Sequence, residues 1–126
     1  MANTNNKKVL LIGLRSDCVD FGKWPQLSVE KLEMAFKQVI SDLSNVGYTA
    51  IWCLTDQGET APEQVTTALV EEKPDIVLVG TGVRVDPDLF LLFETVINLI
   101  HQHAPNAKIA FNSLPNDSVE AVKRWS

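Results

Sequence analysis

The sequence predicts an α/β domain of three layers, with helices on both faces of a four-stranded parallel sheet. Two observations carry this expectation. Short continuous apolar runs, rich in β-branched residues, recur along the chain, as strands covered on both faces require. Between them lie longer segments whose apolar residues return at three- and four-residue steps, the period of an amphipathic helix. At 126 residues the chain suits one domain, 1–126, with no linker and no internal repeat.

The elements can be justified in order. The start, MANTNNKK, is polar and is expected to be a disordered tail over residues 1–7. "KKVLLIGL" follows as the first strand. Val29, Leu32, Phe36, Val39, Leu43 and Val46 mark one helical face, with Ser28 placed to cap it, Glu30 favourable in its first turn and Gly47 able to end it. "YTAIWCL" is the second strand. Thr60 and Glu63 have the spacing of a capping box, Pro62 fits a first turn, and the second helix should run to Lys73 before Pro74. "DIVLVG" is the third and most apolar strand. Asp86, Pro87 and Asp88 open a third helix over 86–103, stopped by Pro105. "AKIAFN" is the fourth strand, and a short helix from about Ser118 to Trp125, capped by Asp117, closes the chain.

Strands alternating with helices imply parallel pairing through right-handed crossovers. The expected strand order is 2-1-3-4, that of a flavodoxin-like fold lacking its fifth strand.

Composition narrows the partners. The net charge of −5 and eleven scattered basic residues argue against nucleic acid, which needs clustered cations to displace counterions. No apolar stretch approaches a membrane span, so no membrane partner is expected. Two cysteines are too few for a disulfide framework and point to a reducing cytoplasm.

In open parallel sheets, ligands bind beyond the carboxyl ends of the strands, where strand order reverses. The first strand delivers Arg15, Ser16 and Asp17 to that place, the second Thr55, Asp56, Gln57 and Gly58, the third Gly80, Thr81, Gly82, Val83 and Arg84, and the fourth Asn112 and Ser113. Two of the three arginines therefore stand beyond adjacent strands, and Arg presents a donor fork suited to carboxylate or phosphate. The Gly80–Gly82 pair would let backbone amides approach a ligand. The competing structural reading pairs Arg15 with Asp17 or Asp56, and Arg84 with Asp86 or Asp88. A second signal is the length of the connection after the first strand. "GLRSDCVDFGKWPQLS" puts about 13 residues where a strand-to-helix turn usually takes ~2–6. Phe21 and Trp24 are costly to leave in water and should pin this loop down as a wall or lid, or simply as packed cover for the strand ends.

Known motifs are mostly excluded. There is no G-x-x-x-x-G-K-[ST] phosphate loop, and Gly80-Thr81-Gly82 does not continue into a dinucleotide fingerprint. LRSDCVD lacks the Ser, Thr and Gly of a flavin-phosphate loop, and Gly80 stands where a receiver domain would place its phosphoacceptor Asp. Trp24 stands where a low-molecular-weight phosphatase would need Arg after Cys18, and no His precedes position 101 for cobalamin. No cofactor is expected. Cys18, near Arg15 and Lys23, and Asp17 remain weak candidates for catalytic chemistry; Cys53, inside the second strand, belongs to the core. His101 and His103 face different ways on a helix, so no metal site is expected.

"LFLLFETVINLI" is apolar nearly all round, with Glu94, Asn98 and His101 sharing one stripe. Such a helix is buried on more than one side. The second cover is expected to be another subunit in a homodimer through helix 86–103; the alternatives are the long loop or Trp125.

The stretch from GTGVR through LFETVINLIHQHAPNAKIAFNSLPNDSVEAVKRW resembles a family of small bacterial α/β proteins with no assigned activity, and the long first loop resembles it more loosely. The resemblance implies a flavodoxin-like, Rossmann-type fold in a bacterial cytoplasm; it transfers no catalytic residue and no cofactor. The expected function is recognition of a small anionic or polar ligand at the strand ends, with no catalysis. The alternatives are a small enzyme using Asp17 or Cys18 under the 15–27 loop, or a non-catalytic dimeric interaction module.

Overall fold

The computed structural model describes residues 7–126. Residues 1–6 of the expected tail lie outside the described residues. Lys7 does not belong to a tail, because its carbonyl accepts the Thr49 amide at 3.0 Å and so extends the pairing of the first two strands. The chain runs β1 (Lys8–Leu14), α1 (Val29–Asn45), β2 (Thr49–Thr55), α2 (Ala61–Glu72), β3 (Ile76–Val79), α3 (Thr81–Arg84), α4 (Phe90–His103), β4 (Lys108–Phe111) and α5 (Ser118–Lys123). The four strands form one parallel sheet in the order 2-1-3-4, as the flavodoxin-like fold requires.

The order follows from hydrophobicity. β1 and β3 carry side chains that must be covered on both faces, and they occupy the centre, with Leu10 opposite Val77 and Ile12 opposite Val79. Their alternation divides the core. Leu10, Ile12, Leu14, Val77 and Val79 pack with α2 and α4, through Val65, Leu69, Leu92, Val96 and Ile100. Val9, Leu11, Ile76 and Leu78 face the other way, onto Val39 and Leu43 of α1 and Ala121 and Val122 of α5. β2 and β4 take the edges, where burial is partial.

Several local expectations need correction. The capping box of Thr60 and Glu63 does not form; Thr60 is helical and its hydroxyl makes no cap. Asp56 does that work instead, accepting the amides of Gly58 (3.0 Å), Thr60 (2.9 Å) and Ala61 (3.2 Å) and the Thr60 hydroxyl (2.6 Å). Asp117 likewise makes no side-chain bond to α5, which ends at Lys123 short of Trp125; its carboxylate turns back to the Ser113 amide at 3.1 Å. The turn after β3 is not open, because residues 81–84 coil into α3. The third long helix begins at Phe90, preceded by a 3-10 turn over Pro87–Leu89 that Asp86 caps through the Asp88 amide at 2.9 Å. Ser28 does cap α1, accepting the Lys31 amide at 3.1 Å, and Gly47 has φ 95°.

α4 buries Leu92, Val96 and Ile100 against the sheet and α2, so α2 supplies part of the second cover its sequence demands. Trp125 supplies none: it is exposed, and α5 lies on the opposite face of the sheet. Glu94, Asn98 and His101 form the expected solvent stripe.

Gly13 is the one glycine whose missing side chain shapes the site. A Cβ there would lie 2.9 Å from Trp52 Cζ3 and 3.3 Å from Leu54 Cδ2. Trp52 has little room to retreat, since its indole N–H donates to the Phe36 carbonyl at 3.0 Å and the two ring centroids lie 4.9 Å apart with the planes tilted by 55°. Gly13→Ala should therefore cost ~1–3 kcal/mol, the range for overpacking, read from urea unfolding with Trp emission as probe. An unchanged midpoint would show that Trp52 gives way freely.

Candidate functional site

The long connection after β1 is held to the rest of the fold at three points. Its first residues form a 3-10 turn, Ser16–Cys18, and the Ser16 hydroxyl donates to Glu33 on α1 at 2.7 Å. Gln57, beyond β2, donates to the Cys18 carbonyl at 2.6 Å. Asp20 closes a turn by accepting the Gly22 amide at 2.9 Å. Finally Lys23 reaches across to Asp86 at 2.9 Å and also bonds Asp88, at the start of α4. The two carboxylates, Asp88 first, raise the Lys23 pKa, and Lys23 in turn holds Asp86 below the ordinary carboxylate value. Phe21 and Trp24 are half-buried, as pinning residues should be.

Beneath this loop lies a cleft of about 320 Å³ at the carboxyl ends of β1, β3 and β4. Gly13, Gly80 and Gly82 are among the residues that line it. Leu32, Ala35, Phe36 and Val39 of α1 make one wall, joined by Trp52. Trp24 and Leu27 come from the loop, and Asn112, Ser113 and Leu114 from the far side. The interior is mostly apolar, with polar groups at its margin, the usual build of a small-molecule pocket. It stands at the switch point between β1 and β3, where the sheet order reverses.

The residues expected there divide into two sets. Gly80, Thr81, Gly82, Asn112 and Ser113 line the cleft, and so does Cys18. Arg15, Ser16, Asp17, Asp56 and Arg84 do not. Arg15 grips Asp17 through two hydrogen bonds at 3.1 and 2.7 Å, which raises the Arg15 pKa and lowers that of Asp17. Ser16 is turned to Glu33, and Asp56 is spent on capping α2. Arg84 pairs with neither Asp86 nor Asp88; it donates to the Asn112 carbonyl and lies 5.6 Å from the centre of the Phe111 ring. Gly80 has its amide bound to the Ile12 carbonyl at 2.9 Å, so it offers no free donor.

Among the described residues, two buried side-chain atoms make no hydrogen bond: Arg84 Nε and Asn112 Oδ1. Leaving such an atom unpaired costs roughly 1–3 kcal/mol. Asn112 is 6% exposed, and its Nδ2 donates to Ser118 at 3.1 Å, which fixes the amide in the cleft wall.

Gln57, expected past the second strand, lines the cleft; Phe36, Trp52 and Asp20 line it too, without having been singled out from sequence as site residues. The helical period places Phe36 on the apolar face of α1, but nothing in that period separates a residue that packs on the sheet from one that overhangs its end. The surroundings of Cys18 do not favour a thiolate. Burial first, and Asp17 second, push its thiol above the ordinary value, and the Arg15 charge that opposes them is shared with Asp17. Cys53 is partly buried against the core, and burial raises its thiol too. Among the described residues no three His, Cys, Asp or Glu gather as metal ligands, and no helix is long and apolar enough to cross a membrane. Compared with known proteins, the chain matches no family model and no curated relative.

The carboxylate network has a pH signature. The Thr60 hydroxyl and the Gly58 amide, in that order, hold Asp56 at about 2, below the ~3.9 of an unstructured chain. A group lowered in this way stabilises the fold above its unfolded pKa, and that contribution is lost as pH falls through its folded value. Asp86 has the same sign through Lys23. The urea midpoint should therefore drop as the pH is taken from about 5 to about 2, and Asp56→Asn should flatten part of the drop. A midpoint level across that range would contradict the network. Cys18 should also react slowly with iodoacetamide near neutral pH; labelling as fast as that of a low-pKa thiolate would restore it as a nucleophile.

Proposed function

We propose that this domain binds a small molecule in the cleft under the 15–27 loop and does not transform it. The observation that carries the reading is the coincidence of an apolar-walled cleft with the switch point of the sheet. An anion is the less favoured occupant, because Arg15 and Arg84 are engaged by Asp17 and Asn112 and neither lines the cleft. A polar group on an otherwise apolar body suits the walls better. Against catalysis stand the raised thiol of Cys18 and the commitment of Asp17 to Arg15. The resemblance of the last third of the chain supports a bacterial cytoplasmic setting, and nothing more specific.

A ligand that binds only the folded state stabilises it by about 2.7 kcal/mol at a hundredfold excess over Kd, several degrees of melting temperature for a domain of this size. A panel of neutral, cationic, carboxylated and phosphorylated metabolites should contain a compound that produces such a shift. Ala35→Trp, which fills the cleft from α1, should abolish it, whereas Arg84→Met should not. A panel with no active compound, or a shift that survives Ala35→Trp, would count against the reading.

One observation favours a second activity, self-association through α4. Phe90 and Leu91 stand 61% and 72% exposed at its start, more apolar surface than a solvent-facing turn needs. Light scattering at micromolar concentration should report twice the 14.0 kDa chain mass, and Phe90→Glu should return it to one. A wild-type particle of single mass would remove the dimer.

A further inference from the structure

We infer that the cleft selects a ligand with an aromatic body and a protonated amine at one end. The inference rests on the reading of the cleft as a small-molecule site and adds the chemical class of its occupant. Three aromatic side chains, Trp24, Phe36 and Trp52, share the lining, and Phe36 and Trp52 are fixed against each other in a tilted stack. Flat π-surfaces of this kind favour a flat apolar partner by offset or edge-to-face contact, and they attract a cation placed over a ring.

Charge decides the other end of the ligand. The charged residues in the lining are Asp20 and Asp86, both acidic, and no Lys or Arg accompanies them. Asp86 is already neutralised by Lys23. Asp20 is not: it accepts the backbone amides of Gly22 and Lys23 and lies in no ion pair among the described residues. It keeps lone pairs free at the cleft margin. Asn112 Oδ1 also lacks a donor, but it is buried and presents no surface to a ligand. The unneutralised charge in the lining is thus negative, and the other polar side chains there, Gln26, Gln57, Thr81, Asn112 and Ser113, are uncharged. An ammonium meets that charge with three donors and a positive charge of its own. An anion of the same shape meets Asp20 with like charge and finds no cation.

The test is a series of one shape and three charges: tryptamine, 3-ethylindole and indole-3-propionate, titrated calorimetrically into the full-length protein. Tryptamine should bind about threefold more tightly than 3-ethylindole and about tenfold more tightly than indole-3-propionate, a margin suited to a solvent-exposed carboxylate and one that shrinks with added salt. Asp20→Asn keeps an oxygen for the Gly22 amide and so keeps the turn; it should bring the three probes within about twofold of one another. Trp24→Ala should weaken all three together. Equal affinities in the wild type, or a carboxylate that binds as well as the amine, overturn the charge assignment while the cleft remains a binding site. Loss of selectivity without Trp24 dependence overturns the aromatic assignment. If no indole probe binds at millimolar concentration but the metabolite panel yields another ligand, the inference fails alone. If neither binds, the reading beneath it fails too.

Discussion

β1 and β3 pair side by side from Val9 with Ile76 to Ile12 with Val79, and the chain leaves their carboxyl ends toward opposite faces of the sheet. Past β1 it crosses to α1; past β3 it turns through α3 to α4. Two connections diverging from neighbouring strands cannot fill the space directly above them, and a crevice opens there whatever side chains surround it. The pairing itself is imposed by hydrophobicity, since these are the strands whose side chains are buried on both faces. Position of the cleft and stability of the core are therefore one consequence of one pairing.

What surrounds the crevice gives it its chemistry. Three glycines line it, and the space over Gly13 is taken by Trp52. The ring is tied to α1 by its bond to the Phe36 carbonyl and its contact with the Phe36 ring, which joins α1 and β2 in one wall. The loop above is fastened by contacts to α1, to the turn after β2, and to the start of α4. Those contacts consume most of its charged groups. Lys23 spends its ammonium on Asp86 and Asp88, and Arg15 spends its guanidinium on Asp17, which leaves Asp20 as the unneutralised charge in the lining.

Arg84 illustrates how position along the chain can mislead. From sequence it stands just past a switch-point strand, where an arginine suggests an anion. Its segment coils into a helical turn, and the guanidinium is drawn over Phe111 and onto the Asn112 carbonyl. It joins the ends of β3 and β4. A loop that winds by one turn rotates every later side chain, so nearness in sequence to a strand end does not fix which way the side chain points.

Local chemistry was enough for the parts of this protein that depend on local periods. The two-sided apolar runs specified β1 and β3, the three- and four-residue repeats specified α1, α2 and α4, and together they implied the parallel sheet, its order and the place of the crevice. Ser28 and Gly47 marked the ends of α1 for the same reason: their effects act within a few residues. Partners chosen across the chain were beyond that reach: Lys23 finds two carboxylates some sixty residues away, and Phe36 meets Trp52 in the cleft wall. Even over a few residues, the choice of Asp56 rather than Thr60 as the cap of α2 was not legible. Each of these is a competition among many residues of suitable type, and only the packed geometry decides it, because a hydrogen bond or ring contact depends on ångström-scale distance that no sequence period encodes.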